Sequence, residues 1–397
     1  MMPLSVETSL NREQLISWLR EEDPARLARL WHWADHLRQI HVGGEVHLRG
    51  LIEISNYCVR LCAYCGLRAP NTELVRYRMS FDEILGCARK AAKLGYGTVV
   101  LQSGEDPGLT TEFITKVVRT IKRELGLAIT LSLGERDEEE LRTWRQAGAD
   151  RYLLRFETSQ PELYARYHPP RPGKKSDRVA LLRRLREMGY EVGSGVMIGL
   201  PGQTYGDLAD DLLLFRELDL DMIGVGPYIA HPRTPLADPS FARVVPAEEQ
   251  VPASELMTYK VIALSRILCP RANIPSTTAL ATLNRKNGRE LGLVRGANVV
   301  MPNLTPPHYR IHYEIYPNKA CIQETAEACH MCLRARIESL GRPVGQGPGT
   351  SPNYRLRTGT QDETPSAGRT VSTPLINDRP LPGVSPHGFE EGQHLKE

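Results

Sequence analysis

Cys58, Cys62 and Cys65 place three thiols within the stretch 58–65, and the surrounding run 56–68 offers no fourth metal ligand. The thiolate is the metal-binding form of cysteine. Structural zinc takes four protein ligands, whereas a 4Fe-4S cube held by three cysteines leaves one iron free for an outside ligand. The spacing therefore points to a catalytic iron-sulfur centre, with a zinc site completed by a distant histidine as the competing reading. Cys321, Cys329 and Cys332 form a second group. Three thiolates again suggest a metal cluster, 2Fe-2S or 4Fe-4S, with His330 or water as a further ligand, or zinc held by the three cysteines and a histidine. This group follows the last expected strand, so it is expected to be peripheral. Cys87 and Cys269 fall on helices and read as inert buried thiols.

The C-x3-C-x2-C spacing resembles that of the radical S-adenosylmethionine (SAM) superfamily. The resemblance implies that the open iron chelates the amino and carboxylate groups of SAM, and that an electron passed to the sulfonium yields a 5'-deoxyadenosyl radical. Tyr64 stands where that superfamily carries an aromatic beside the cluster and the adenine; the plain alternative is a core aromatic. Gly104 and Glu105, after Gln102 and Ser103, resemble the Gly-Gly-Glu motif that receives the SAM amino group, with Ser103 replacing one glycine. A simple turn would also use Gly104, Asp106 and Pro107.

In the stretch 152–158, strand alternation puts Arg155 and Glu157 on one face and Leu154 and Phe156 on the other. A buried Arg–Glu pair is costly unless its hydrogen bonds are satisfied, which favours a binding role at a cavity mouth. Glu157 suits the SAM ribose or amino group. Arg178, after Ser176 and Asp177 at an expected helix start, suits its carboxylate, against an exposed helix arginine as the alternative. Ser132 and Met197 complete the cofactor set. Met197 lies in the glycine-rich strand and turn 193–202, where glycines imply close approach of a ligand. No Lys-Ser/Thr pair follows, which excludes a nucleoside triphosphate loop.

The chain has 397 residues, 41% hydrophobic and 24% charged, enough for one large domain with a substantial core or two ordinary ones. A net charge of +3 without a basic block gives no reason to expect nucleic acid, so the expected ligand is small. The first residues lack a basic segment followed by an apolar core, and no apolar run approaches the roughly 20 residues that span a bilayer. A cytoplasmic protein with no membrane partner is expected. Eight cysteines, six of them in two tight groups, fit reduced metal-binding thiolates better than a disulfide scaffold.

Apolar spacing over 12–42, broken at Pro24, predicts an N-terminal helical extension covering 1–45. Strands are predicted near 46–55, 98–103, 129–134, 152–158, 191–199, 221–228, 274–280 and 297–302, alternating with helices such as 81–94 and 111–125. Such alternation implies parallel pairing with right-handed crossovers. Eight strands favour a closed (β/α)8 barrel over 46–305, with a doubly wound sheet as the alternative. Gln102, Thr130, Ser132, Arg155, Glu157, Met197, Thr277 and Asn303 then sit at the carboxyl ends of strands, where barrel active sites lie. A cysteine-containing extension follows over 306–342. From about Gly341 the periodicity is lost to Gly, Pro, Ser and Thr, so 343–397 is expected to be a disordered tail, and truncation near Gly345 to be tolerated.

Several strings together resemble the FeFe-hydrogenase maturase family HydE over residues 10 to 342. They include Arg49 within 46–53, then 65–68, 101–107, 130–135, 150–155, 199–204, 226–236, 274–279 and 297–303. That resemblance implies a full radical SAM barrel holding the cluster and SAM at its mouth, and an internal cavity for an anionic organometallic substrate. In that family the substrate is understood to be a cysteine-bound iron dicarbonyl cyanide supplied by the partner maturase HydG. The adenosyl radical is thought to attack the cysteine sulfur, on the way to the di-iron subcluster of the hydrogenase. A HydF-like maturase and a ferredoxin or flavodoxin electron donor are the other implied partners. Matching positions for anion recognition are Arg49, Arg155, Thr277 and Thr278, with Tyr309 and Tyr313 as further candidates. The second cysteine group occurs in some members of the family, which implies that it is not essential to the radical step. Phe156 departs from the His often found there, and alternation turns it away from the cavity.

Biotin synthase shares the barrel but needs a sulfur-donor cluster on barrel cysteines, and no cysteine falls in expected strands two to eight. A methylornithine-synthase-like mutase is the alternative enzyme. A non-catalytic electron-transfer or cluster-scaffold protein is the alternative of a different class, and it leaves Glu105, Glu157 and Arg178 without a role.

Overall fold

The computed structural model describes residues 9–171, 173 and 175–360, and the compact unit it contains ends at Gly359. The core is a curled parallel sheet. Its strands are β1 (His47–Ser55), β2 (Thr98–Ser103), β3 (Ala128–Ser132), β4 (Arg151–Leu153), β5 (Glu191–Ser194), β6 (Met197–Ile198), β7 (Met222–Ile223), β8 (Gly226–Pro227) and β9 (Val299–Val300). Seven of them pair in the order β7-β5-β4-β3-β2-β1-β9, and β6 pairs with β8 as a short upper continuation. Single parallel bridges from Asn273 to Met222 and from Pro275 to Val299 carry the chain across the remaining gap, so the sheet curls as a (β/α)8 barrel does. Among the described residues no helix is long and apolar enough to cross a membrane.

Register decides which side chains share a height. Glu53 of β1 pairs with Gln102 of β2, which pairs with Ser132 of β3, so these three stand side by side at the mouth. Arg49 pairs with Thr98, and Arg151 with Glu191, at the opposite end. On the outer face Leu48, Ile52 and Ile54 are buried beneath the helices. Helix Thr111–Leu125 illustrates the local logic: Thr110 caps its first turn, Ile114, Val117, Val118 and Ile121 are buried along one stripe, and Gly126 ends it at φ 63°. The N-terminal helices Arg12–Arg20 and Pro24–His41, separated at Pro24, pack on helices Tyr205–Glu217 and Glu255–Leu268.

Several expected strands are shorter, split or absent: 221–228 is split into β7 and β8, and 297–302 shrinks to β9. The strand expected at 152–158 stops at Leu153, since Glu157 takes a left-handed conformation at φ 67°. That expected at 191–199 is interrupted at Gly195, where a Cβ would lie 1.8 Å from the Gly224 carbonyl oxygen. That expected at 274–280 gives way to helix Thr278–Leu283, because the Thr277 hydroxyl caps it by accepting from the Leu280 N–H.

The disordered tail expected from 343 is corrected for residues 343–359, while 361–397 lie outside the described residues. Val344 bridges Val46. The next residues then cross the barrel floor: the Gly349 carbonyl accepts from Arg49 and Asn273, that of Pro348 from Arg151 and Thr98, and Ser351 N–H donates to Glu191. Helix Pro352–Thr358 follows. Main-chain carbonyls thus take one donor from each of two buried guanidinium groups, an arrangement that needs no apolar periodicity. Ending the chain at Val344 should therefore destabilise it, by about 1–3 kcal/mol for each buried donor left without a partner. A thermal melt as stable as that of the full chain would contradict this role.

Candidate active site at the barrel mouth

The cysteine loop after β1 has almost no regular structure and is pinned by side chains. The Arg76 guanidinium donates to the carbonyls of Asn56 and Leu67 at 2.7 and 2.8 Å, and to those of Arg68 and Asn71 at 2.8 and 3.1 Å, clamping both ends of the loop. Asn56 Nδ2 adds bonds to the carbonyls of Val75 and His312. Two glycines allow close approach. A Cβ on Gly104 would sit 2.3 Å from the Tyr57 oxygen, and one on Gly66 2.1 Å from the Glu314 oxygen.

Burial is the main reason that the Cys62 thiol is pushed up to about 12, with its neighbour Cys58 adding to the shift, and Cys65 is raised by the same two causes in the same order, burial then a fellow cysteine, Cys62. Buried sulfurs that repel one another as thiolates are a site for a cation, since a coordinated thiol is deprotonated. Among the described residues neither cysteine group brings its three sulfurs within 4.8 Å of one another. Tetrahedral zinc, with Zn–S of about 2.3 Å, needs them about 3.8 Å apart. The donor set of three cysteines without a fourth ligand thus fits an iron-sulfur cluster better than a single zinc ion.

His168 is the residue that sequence reasoning missed here. Arg60 Nε donates to its Nε2 at 3.2 Å, which leaves the ring proton on Nδ1, 3.0 Å from Cys62 Sγ and 2.9 Å from the Tyr64 hydroxyl. Burial and then Arg178 push its pKa down to about 3. Behind it, Glu135 takes hydrogen bonds from Arg60, Ser176 and Arg178. Burial opposes its ionisation, yet His168, Arg178 and Arg60 hold it well below the usual carboxylate range. Glu105, Glu135 and His168 bring ligand atoms within 4.8 Å of one another, but Arg60 and Arg178 already supply the positive charge there.

Inside the mouth lies a cavity of about 330 Å³. Tyr64 and Cys65 reach it from the cysteine loop, Glu53, Gln102, Ser103 and Ser132 from strand ends, and Arg155, Glu157, Met197, Thr277 and Thr278 from the opposite wall. Glu157 Oε2 lies 3.3 Å from the Arg155 guanidinium but has no hydrogen-bond partner, and Arg155 Nε is likewise buried and unpartnered. The strained backbone of Glu157 is held on both sides, by its N–H to Gly195 and its carbonyl from Met197. Lys319, also missed, bonds Glu53 at 2.7 Å, and Asn303 bonds the second Glu53 oxygen at 2.9 Å.

Several expected site residues stand elsewhere. Arg49 is at the floor, bonded to the Gly349 carbonyl and Met222 Sδ. Tyr309 stacks on Tyr77 and donates to Glu83 outside the cavity, and Tyr313 sits behind the wall, where Gln102 donates to its hydroxyl. Gly104 packs beneath the loop. Glu105 and Arg178 pair with each other at 3.3 Å rather than lining the cavity, and Arg178 NH1 also donates to the Arg155 carbonyl. Arg178 is thus buried rather than an exposed helix arginine.

The second cysteine group is less peripheral than expected. Cys321, Cys329 and Cys332 line an adjoining space of about 350 Å³, and Cys321 also lines the central cavity. His330 turns to the Tyr96 hydroxyl and does not line that space.

Residues 52–215 match the family model of the radical SAM superfamily. The chain is 47% identical over 335 residues to the FeFe hydrogenase maturase subunit HydE of Thermotoga maritima, covering 84% of this chain and 92% of that one. It is 30% identical over 293 residues to 3-methylornithine synthase of Methanosarcina acetivorans, 73% of this chain and 79% of the relative. Among solved structures, methylornithine synthase PylB superposes with a TM-score of 0.72 at 27% identity, over 85% of this chain and 95% of PylB. The maturase HydG from Carboxydothermus hydrogenoformans shares the fold, with a TM-score of 0.68 at 20% identity, over 83% and 74%. Fold and cysteine loop together define a radical SAM enzyme, one that cleaves SAM, and membership of the superfamily implies a 4Fe-4S cluster. Within that superfamily the chain belongs to the hydrogenase maturase family HydE.

Two outcomes are expected. Replacing Arg76 by Met should lower iron and sulfide retained per chain after anaerobic desalting several-fold, with Lys intermediate; full retention in Arg76→Met would contradict the clamp. His168, held below the ordinary histidine value of about 6.5, takes up its proton only on unfolding, so stability is lost as pH falls from about 6.5 towards 3. His168→Gln should flatten that window in thermal melts, and parallel curves would contradict it.

Proposed function

We propose that this protein acts in hydrogenase maturation, processing a cysteine-bound iron carbonyl cyanide complex as its substrate. The observation that supports the reading most is a shared cavity: Tyr64 and Cys65 of the cluster loop face the same 330 Å³ as Arg155, Thr277 and Thr278. When bound, the cluster supplies the electron that splits SAM and releases a 5'-deoxyadenosyl radical. Cys58, Cys62 and Cys65 hold it, and Tyr64, Ser132, Glu157 and Met197 are placed to receive SAM. Glu157, with an unpartnered oxygen, suits the ammonium or a ribose hydroxyl. Arg155, with an unpartnered Nε, and the two threonine hydroxyls donate to the cyanide or carboxylate of the substrate. Arg178 positions Arg155 through the Arg155 carbonyl, and Glu105, whose Oε1 pairs with Arg60 and Arg178, keeps a buried Oε2 with no hydrogen-bond partner.

The 47% identity to a HydE favours this over the mutase reading at 30%. A methylornithine-synthase-like activity keeps one specific support, the alternation of Glu53–Lys319 and Arg155–Glu157 pairs, which also suits an amino acid. A HydG-like protein as supplier, a HydF-like protein as recipient, and ferredoxin or flavodoxin as electron donor complete the proposal, with a second iron-sulfur cluster at Cys321, Cys329 and Cys332.

The test is anaerobic reconstitution followed by dithionite, SAM and chromatography of 5'-deoxyadenosine, with and without the HydG-derived iron complex. Enhancement by that complex is expected, and Cys62→Ala should abolish cleavage while Cys329→Ala leaves most of it. Cleavage indifferent to the complex would favour the mutase, and equal loss from both substitutions would overturn the division of labour between the two cysteine groups.

A further inference from the structure

The central cavity and the space beside the second cysteine group share three lining residues, Arg289, Ala320 and Cys321. These three residues line both a volume of about 330 Å³ and one of about 350 Å³. Arg289 is buried and carries an unusual combination of contacts. One of its NH1 protons points to Cys321 Sγ at 3.5 Å, its Nε is buried without a partner, and its carbonyl is fixed by the Ser276 hydroxyl. Among the described residues it has no carboxylate partner within ion-pair distance. The other cations on the cavity wall each face a carboxylate: Arg155 pairs with Glu157 while its Nε stays free, and Lys319 pairs with Glu53.

Cys321 is held with equal firmness. Its φ is 62°, a strained value for a non-glycine residue, and Arg310 NH1 grips its carbonyl at 2.8 Å. The sulfur is thereby kept in the partition while Cys329 and Cys332 come from helix Ala326–Ser339.

We propose that Arg289 couples the two spaces, so that a metal centre held by Cys321, Cys329 and Cys332 weakens anion binding in the central cavity, and an anion there loosens the metal. The inference rests on the reading above, in which the cavity takes an anion and the second group a metal. Three thiolates around an oxidised 2Fe-2S core, which carries two positive charges, leave that group net negative. A net negative group beside Arg289 draws the guanidinium towards Cys321 and repels a second anion on the other side. Coupling between binding sites is reciprocal, so each ligand must disfavour the other by the same factor.

Thiocyanate, titrated calorimetrically into the full-length protein without SAM, is the probe. Wild type with metal in the second group is compared with Cys332→Ser, whose substituted residue is exposed, each with Arg289 intact or replaced by Met or Lys. Iron analysis and absorbance establish loading independently. Thiocyanate should bind about five-fold or more tightly to Cys332→Ser than to loaded wild type, the low end of common coupling factors. The difference should vanish with Arg289→Met and persist with Arg289→Lys, which keeps the charge. Equal affinities in loaded wild type and Cys332→Ser, or a difference that survives Arg289→Met, would overturn the coupling alone. No thiocyanate binding in any form, or no more metal in wild type than in Cys332→Ser, would overturn the underlying reading and the coupling together.

Discussion

The irregular segment after β1 must hold the sulfurs of Cys58, Cys62 and Cys65 in a fixed triangle without helix or strand to order them, and the Arg76 guanidinium meets that constraint. Main-chain carbonyls in an irregular loop need donors from elsewhere if water is excluded. Arg76 supplies four such bonds from one side chain, spanning residues 56 to 71, so that loss of order at either end of the loop is transmitted to the other. The bare backbones of Gly66 and Gly104 let the loop press against residue 314 and against β2's end, where any side chain would force it outwards. The relative placement of the three sulfurs and the position of Tyr64 depend on that fit.

The cavity below is organised by charge rather than by shape. Glu53 and Lys319 form a buried pair finished by Asn303, while Arg155 and Glu157 face each other with donors and acceptors left over. A fully bonded pair is expensive to disturb and acts as wall; an incompletely bonded pair is poised to bind a ligand. His168 extends the same economy beneath the cysteines: a neutral ring accepts from Arg60 and donates towards Cys62 and Tyr64. At the far end, Arg49 and Arg151 close the barrel through carbonyls of the chain's own later residues.

Much of this was legible in the sequence, and the failures have physical causes. Hydrophobic periodicity located the strand-helix rhythm and the break at Pro24, and cysteine spacing drew attention to the loop after β1. Alternation correctly separated Arg155 and Glu157 from Phe156, which is buried against Phe215. Arg49 shares its face with Leu51 and Glu53, yet each two-residue step moves about 6.6 Å along a strand, so a common face is not a common height. The stretch 343–359 looked disordered because its binding uses carbonyl oxygens, which every sequence has. Arg60, Arg76, His168, Arg289 and Lys319 carried no local signal, as their partners lie far along the chain or in the main chain.

The most direct test of the account is electron paramagnetic resonance of the reconstituted, dithionite-reduced protein before and after SAM is added. A site-differentiated cube, held by Cys58, Cys62 and Cys65 with one iron open to the cavity, predicts a 4Fe-4S signal whose g-values shift on SAM addition. The same signal with and without SAM, from protein shown to hold the cluster, would mean that no iron is open to it and would contradict the assignment at its centre.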